Sequence, residues 1–241
     1  MYRFNARDNA IAAGLLARAT DLDPGFATAF AARSFNSFQT CMMGYDPDRA
    51  AAMAATRSAA ERSVELDPLC PNANAAMGRF HILSGEPDEG LYWLERSLSL
   101  SPNYAKGHYS RAFLQVLCGL PTNETRQSVD VAMGLSPLDP MLGPMFVMKA
   151  MSYGLDGDFA TAAEFAIRAA RISDSHLYVL CTALAFCMLS GRIDDAKHWL
   201  GILRARRPDA SISLYMQYLP FRDAAFRAIL HKALLRAGLA E

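Results

Sequence analysis

A chain of 241 residues with 24 Lys plus Arg against 24 Asp plus Glu carries no net charge at neutral pH, so bulk attraction to nucleic acid or to an anionic membrane is not expected. With 52% hydrophobic and 20% charged residues, the chain is long enough to bury a sizeable core. No apolar run approaches the ~18 residues of a membrane span, and Met1-Tyr2-Arg3-Phe4-Asn5 lacks a signal-type apolar segment, which leaves the cytoplasm as the expected compartment.

A helix is predicted first, over about residues 6–22, and it ends in Ala19-Thr20-Asp21-Leu22-Asp23-Pro24. The same kind of ending recurs as Ser63-Val64-Glu65-Leu66-Asp67-Pro68, Ser97-Leu98-Ser99-Leu100-Ser101-Pro102 and Ala132-Met133-Gly134-Leu135-Ser136-Pro137. The prolines are spaced 44, 34 and 35 residues apart; Pro208 follows 71 residues later, two periods on, with Asp174 where the intervening proline would stand. The first spacing is lengthened by the linker Cys41-Met42-Met43-Gly44-Tyr45-Asp46-Pro47-Asp48. About half a period after the prolines stand Gly85, Gly119, Gly157 and Gly191, where a left-handed residue ends one helix and the chain turns into the next. Each period therefore holds two helices, the signature of a helical solenoid.

Met77-Gly78, Gly85, Leu94 and Pro102 in one unit, with Phe30, Tyr153 and Leu200 at large positions of others, resemble the tetratricopeptide repeat. Small residues such as Ala12, Ala19, Ala162, Ala169 and Ala196 stand where that family brings helices close, while His81 and Gly90 depart from its pattern. The resemblance implies an all-α helical-hairpin solenoid, a right-handed α-α superhelix. It would form one domain over residues 1–241: an unpaired leading helix within 1–25, about five helix pairs over 26–208 and a capping helix over 209–241. The longer strings Phe4-Asn5, Asp8-Asn9, Leu135-Ser136-Pro137-Leu138-Asp139-Pro140 and Leu219-Pro220-Phe221-Arg222-Asp223 resemble the C-terminal tetratricopeptide region of bacterial class III adenylate and guanylate cyclases and winged-helix transcriptional regulators. That resemblance implies a non-catalytic, regulatory protein-interaction module, part of a bacterial multidomain signalling protein of adenylate cyclase type. The alternatives are the sensory domain of a winged-helix regulator and a stand-alone adaptor.

Catalytic, metal and cofactor sites are not expected. The five histidines are scattered with no His-x-x-x-His spacing, and no Gly-x-x-x-x-Gly-Lys phosphate loop or Gly-x-Ser-x-Gly turn occurs. Asp156, Asp158, Asp194 and Asp195 lie where carboxylates cap helices. Five scattered cysteines without a Cys-x-x-Cys pair read as reduced core or groove residues. Met141, Met145, Met148 and Met151 form a helical stripe expected in the core, and Trp93 and Trp199 are expected between repeats. The run Arg204-Ala205-Arg206-Arg207 suits the negative end of a helix.

In tetratricopeptide domains the ligand lies on the concave side, along the first helix of each pair. The repeat phase then nominates Asn72 and Arg79 in the second unit, Ser110 and Arg111 in the third, Val147, Met148 and Met151 in the fourth, and Tyr178, Cys181 and Thr182 in the fifth. A surface cationic at Arg79 and Arg111 and apolar beyond suits an apolar helix or extended peptide carrying one acidic group. Ile11, Leu15 and Leu16 on the unpaired leading helix point to a homodimer through the N-terminal end, with Tyr2 and Phe4 folding back as the competing cover. The final apolar periodicity, after Asp223 and before Gly238, predicts an amphipathic capping helix.

Overall fold

The computed structural model describes residues 4–172, 176–219 and 221–241. Tyr2 and Asp174 lie outside the described residues. Among those described, the elements are thirteen α-helices, with a lone bridge between Ser211 and Ala240 in place of any strand. None of the helices is long and apolar enough to cross a membrane. The chain forms two compact units, residues 1–114 and 115–241, whose boundary falls inside one helix.

The first unit contains α1 (Ala6–Leu22), α2 (Ala27–Met43), α3 (Arg49–Leu66), α4 (Pro71–Ser84), α5 (Pro87–Leu100) and most of α6 (Ala105–Cys118). Its local rules are those of the sequence. Asn5 and Asp48 accept hydrogen bonds from Asp8 N and Ala51 N at the starts of α1 and α3, supplying acceptors to amides a helix leaves without partners. Gly85 ends α4 at φ 76°, the left-handed conformation expected at the turn into a second helix. Small residues set the spacing of the hairpins. A Cβ on Gly78 would stand 2.5 Å from Leu94 Cγ and 3.0 Å from the Gly90 carbonyl oxygen, so α4 and α5 cross almost backbone to backbone. Gly90, which departs from the family pattern, is thus part of that crossing. The core beside it is Ala31, Ala60, Ala76, Met77 and Phe80, with Met53, Val64 and Trp93 packed on its margin.

The second unit contains the end of α6, then α7 (Thr122–Leu135), α8 (Leu142–Leu155), α9 (Phe159–Ala170), α10 (Leu177–Leu189), α11 (Ile193–Arg206), α12 (Ile212–Tyr218) and α13 (Ala224–Ala237). Met141, Met145, Met148 and Met151 are buried, as the core reading of the stripe requires, and α9 faces its neighbours with fully buried Ala162, Ala163, Ala166 and Ala169. Nearly every residue of α10 is buried. Asp223 accepts from Phe226 N at 2.9 Å to start α13, and Gly238, at φ 89°, ends it. Residues 209–241 hold a second helix as well: Ser211 accepts from Leu214 N and opens the seven-residue α12 ahead of α13.

Candidate functional site

Within the first unit, the first helices α2, α4 and α6 bring together two of the nominated ligand positions. Arg79 Nη1 on α4 donates to Ser110 Oγ on α6 at 3.2 Å, and its guanidinium lies over the Phe35 ring of α2, 4.9 Å from the centroid. Arg79 is buried, and its Nε makes no hydrogen bond. Rings continue from there: Phe35 stacks with Phe38, Phe38 meets Phe113 of α6 edge-on at 6.5 Å, and Phe113 stacks with Tyr109. Burial pushes the Tyr109 hydroxyl far above its ordinary range, so it stays a neutral donor. Gln39, one turn from Phe35, is buried with neither side-chain polar atom hydrogen-bonded. Asn72 is half-buried on α4. Arg111 turns the other way, to Glu95 of α5 at 2.9 Å, so adjacent Ser110 and Arg111 serve two different contacts. Phe35, Phe38 and Gln39 are additions that the repeat phase missed, because the long linker after α2 breaks the spacing used to find them, and Phe113 falls between the positions that the phase nominated on α6.

The nominated positions of the second unit, Val147, Met148, Met151, Tyr178, Cys181 and Thr182, are all buried. Part of their cover is the chain's own C-terminal region: Tyr215 of α12 pairs its hydroxyl with Thr182 Oγ1 at 3.2 Å and packs its ring on Tyr178 at 6.2 Å. Burial raises the Cys181 thiol well above its ordinary range and Cys187 to about 12, so neither is a ready nucleophile.

Several polar groups elsewhere are absorbed in structural contacts. Asp158 caps α9 through Thr161 N, whereas Asp156 binds Thr122 Oγ1 and Arg126 at 2.7 Å each, tying the starts of α7 and α9. Burial pushes the Asp156 carboxyl up, but these hydrogen bonds and the Arg126 charge together outweigh it and hold the group below its usual range. Asp195 pairs with Arg192, Asp194 with Lys197, and Arg204 Nη2 donates to the Gly238 carbonyl at 2.7 Å. At the end of α4, Ser84 Oγ donates to Glu86 Oε2 at 2.7 Å and His81 Nδ1 shares that same oxygen at 2.9 Å. Ser84 is thus bonded to the carboxylate and not to the imidazole, which is the wrong order for a base to activate a hydroxyl. Among the described residues no His, Cys, Asp or Glu cluster has the makings of a metal site. An open cleft of about 510 Å³ between α2 and α3 is lined by Phe30, Arg33, Arg62, Glu61 and Glu65 among others, with charges of both signs.

No family model matches the chain, and no curated protein sequence matches it. Solved structures do. PilW, a widely conserved type IV pilus biogenesis factor, superposes with a TM-score of 0.61 at 15% identity, over 88% of this chain and 91% of that one. TTC0263, a thermophilic tetratricopeptide protein of Thermus thermophilus, gives 0.58 at 16% identity over 84% and 99%. A tetratricopeptide repeat protein from Parabacteroides merdae gives 0.57 at 11% identity over 96% and 86%. Paired helices, glycine turns and these superpositions together make the fold a tetratricopeptide-type helical-hairpin solenoid.

Proposed function

We propose that this chain is a non-catalytic protein-interaction module that recognises a protein or peptide segment along its first helices. The observation that carries the reading is the meeting of Arg79 and Ser110: two positions nominated only by repeat phase touch across α4 and α6, beside a row of aromatic rings. A guanidinium held over a ring with its Nε unpaired suits a partner that brings one acidic group into an otherwise apolar contact. Asn72 and Arg111 are the half-buried members of the set and mark its reachable margin. Balanced charge supports protein over nucleic acid or membrane as the partner, and a cytoplasmic setting goes with this reading.

The strings around Pro137 and Phe221 support placing the module in a bacterial signalling protein of adenylate cyclase type, with a winged-helix regulator as the related context. A stand-alone adaptor is the second reading, compatible with the fold shared with PilW and TTC0263. A homodimer through α1 belongs to the same proposal, supported by the exposure of Ile11 and Leu15.

A photo-reactive residue replacing Asn72 in living cells tests the interaction reading. A discrete protein adduct is expected from that position and not from Glu61 on α3. Equal adducts from both positions, or none from Asn72, would reject it.

A further inference from the structure

A helix that only capped the end of the second unit would touch its last pair, α10 and α11. The C-terminal region reaches further. The Arg222 amide donates to the Leu117 carbonyl at the end of α6 at 2.8 Å. Phe226, the first buried residue of α13, lies against Gly154 of α8: a Cβ built there would stand 3.3 Å from the Phe226 ring and 2.4 Å from that of Phe186 on α10. Tyr215 covers Tyr178 and Thr182 of α10. One C-terminal stretch therefore touches three successive first helices, the elements along which tetratricopeptide domains hold ligands.

The stretch is held as a bound peptide is held. Leu117 is among the last residues of α6, where helix carbonyls lack an internal donor, and an amide from outside the helix supplies one. Phe221 and Phe226 are both buried and meet edge-on at 5.5 Å, while the missing side chain of Gly154 makes room for Phe226 beside Phe186. The far end is tethered separately: Arg204 Nη2 donates to the Gly238 carbonyl, and Ile212 N donates to the Ala240 carbonyl at 2.8 Å. Release of residues 221–226 leaves those tethers in place.

We propose that the face formed by the end of α6, Gly154 of α8 and Phe186 of α10 is a groove for a protein segment bearing paired aromatic residues, and that residues 221–226 occupy it in cis until such a partner displaces them. The proposal rests on the interaction reading and names the partner's chemistry. The cost of displacing the internal segment lowers the affinity of an outside one, by the fraction of molecules in which the groove is open.

Native-state hydrogen exchange on the full chain reads the opening without any partner, so its outcome is separate from adduct formation at Asn72. The Arg222 amide and the first turns of α13 are expected to exchange at least tenfold faster than the cores of α8 and α10. A labelled peptide copying residues 215–230 is expected to bind Phe226→Ala and Arg222→Pro at least tenfold more tightly than the wild type. Its copy with both Phe221 and Phe226 replaced by Ala is expected not to bind. Arg222→Pro removes the amide donor to Leu117 while keeping both buried rings, so with Arg222→Ala as the control for loss of the side chain it decides the matter if Phe226→Ala does not fold. Exchange of α13 at the rate of α8 and α10, equal peptide affinity in wild type and Arg222→Pro, or dimers of Arg222→Pro that exclude the peptide would each overturn the proposal.

Discussion

The Asn36 side-chain amide on α2 donates to both carbonyl oxygens of Asn9 on α1, the backbone oxygen at 3.0 Å and the side-chain oxygen at 2.8 Å. Asn9 in turn donates to Thr40 Oγ1 at 2.7 Å, and one turn back along α2, Arg33 Nη1 donates to Thr20 Oγ1 at 2.8 Å. The first helix is therefore docked on α2 with polar groups at its most buried positions, Asn9 and Thr20. Truncating Asn36 to Ala strands the buried Asn9 side-chain oxygen and removes a second bond to the Asn9 backbone carbonyl, which keeps its helical donor. Asn36→Ala is expected to lower unfolding stability by about 1–3 kcal/mol, whereas Arg18→Ala on the exposed side stays within ~0.5 kcal/mol, measured by urea denaturation.

The same docking leaves Ile11 at 52% and Leu15 at 65% exposed on the outer side of α1, four residues apart and so on one face. Burial of apolar surface is worth roughly 25 cal/mol per Å², and a two-fold contact between two copies of this face is the simplest closed way to gain it. Sedimentation is expected to show reversible dimers of the wild type and monomers of Leu15→Glu. A wild type that remains monomeric at high concentration rejects the contact.

Glycines divide sharply by what surrounds them. At Gly154 the added methyl would sit 2.4 Å from the Phe186 ring, while at Gly134 in α7 nothing lies within 4 Å. Gly154→Ala is expected to destabilise by about 1–3 kcal/mol through overpacking. Gly134→Ala, in ordinary helical conformation, is expected to stabilise by about 0.4–1 kcal/mol by restricting the unfolded chain. Thermal unfolding of the two variants compares them directly.

The repeat was legible because its punctuation is local chemistry. Pro and Gly mark helix ends whatever lies around them, so Gly85, Gly119, Gly157 and Gly191 adopt positive φ where the spacing placed them. The contacts among the nominated positions were legible only in part. Repeat phase nominated Arg79 with both Ser110 and Arg111, but adjacent residues point about 100° apart around a helix, so Ser110 meets Arg79 while Arg111 meets Glu95. The cover over Tyr178 and Thr182 was not legible. It depends on residues more than thirty positions away returning across α6, α8 and α10, and no periodicity encodes such a contact.

His176, at the start of α10, is held to a pKa of about 4 by burial, which disfavours its charged form. An unfolded histidine titrates near 6.5, so between those values the unfolded chain binds more protons and stability rises with pH. The contribution is fully present above about pH 6.5, and is lost progressively as the pH falls toward 4. His176→Phe, which keeps a ring beside Tyr178, is expected to flatten the stability profile in that window by on the order of 2–3 kcal/mol. An unchanged profile in the variant would assign the acid sensitivity to carboxylates instead.

Arg79 carries the sharpest prediction because its charge is buried with Ser110 and the Phe35 ring as its contacts, and no carboxylate pairs with it among the described residues. A buried cation without a counterion costs folding free energy, and replacing it with an apolar side chain of similar length is often neutral or stabilising. Arg79→Met is therefore expected to be at least as stable as the wild type. Arg79→Ala, which leaves a cavity beside Phe35, is expected to lose about 2 kcal/mol or more. If the guanidinium is kept for a partner's acidic group, small carboxylates such as acetate raise the melting temperature of the wild type over chloride at equal ionic strength, and leave Arg79→Met unaffected. A loss of stability in Arg79→Met as large as in Arg79→Ala would make the arginine a structural element, and an equal response of both proteins to acetate would remove the acidic group from the proposed ligand.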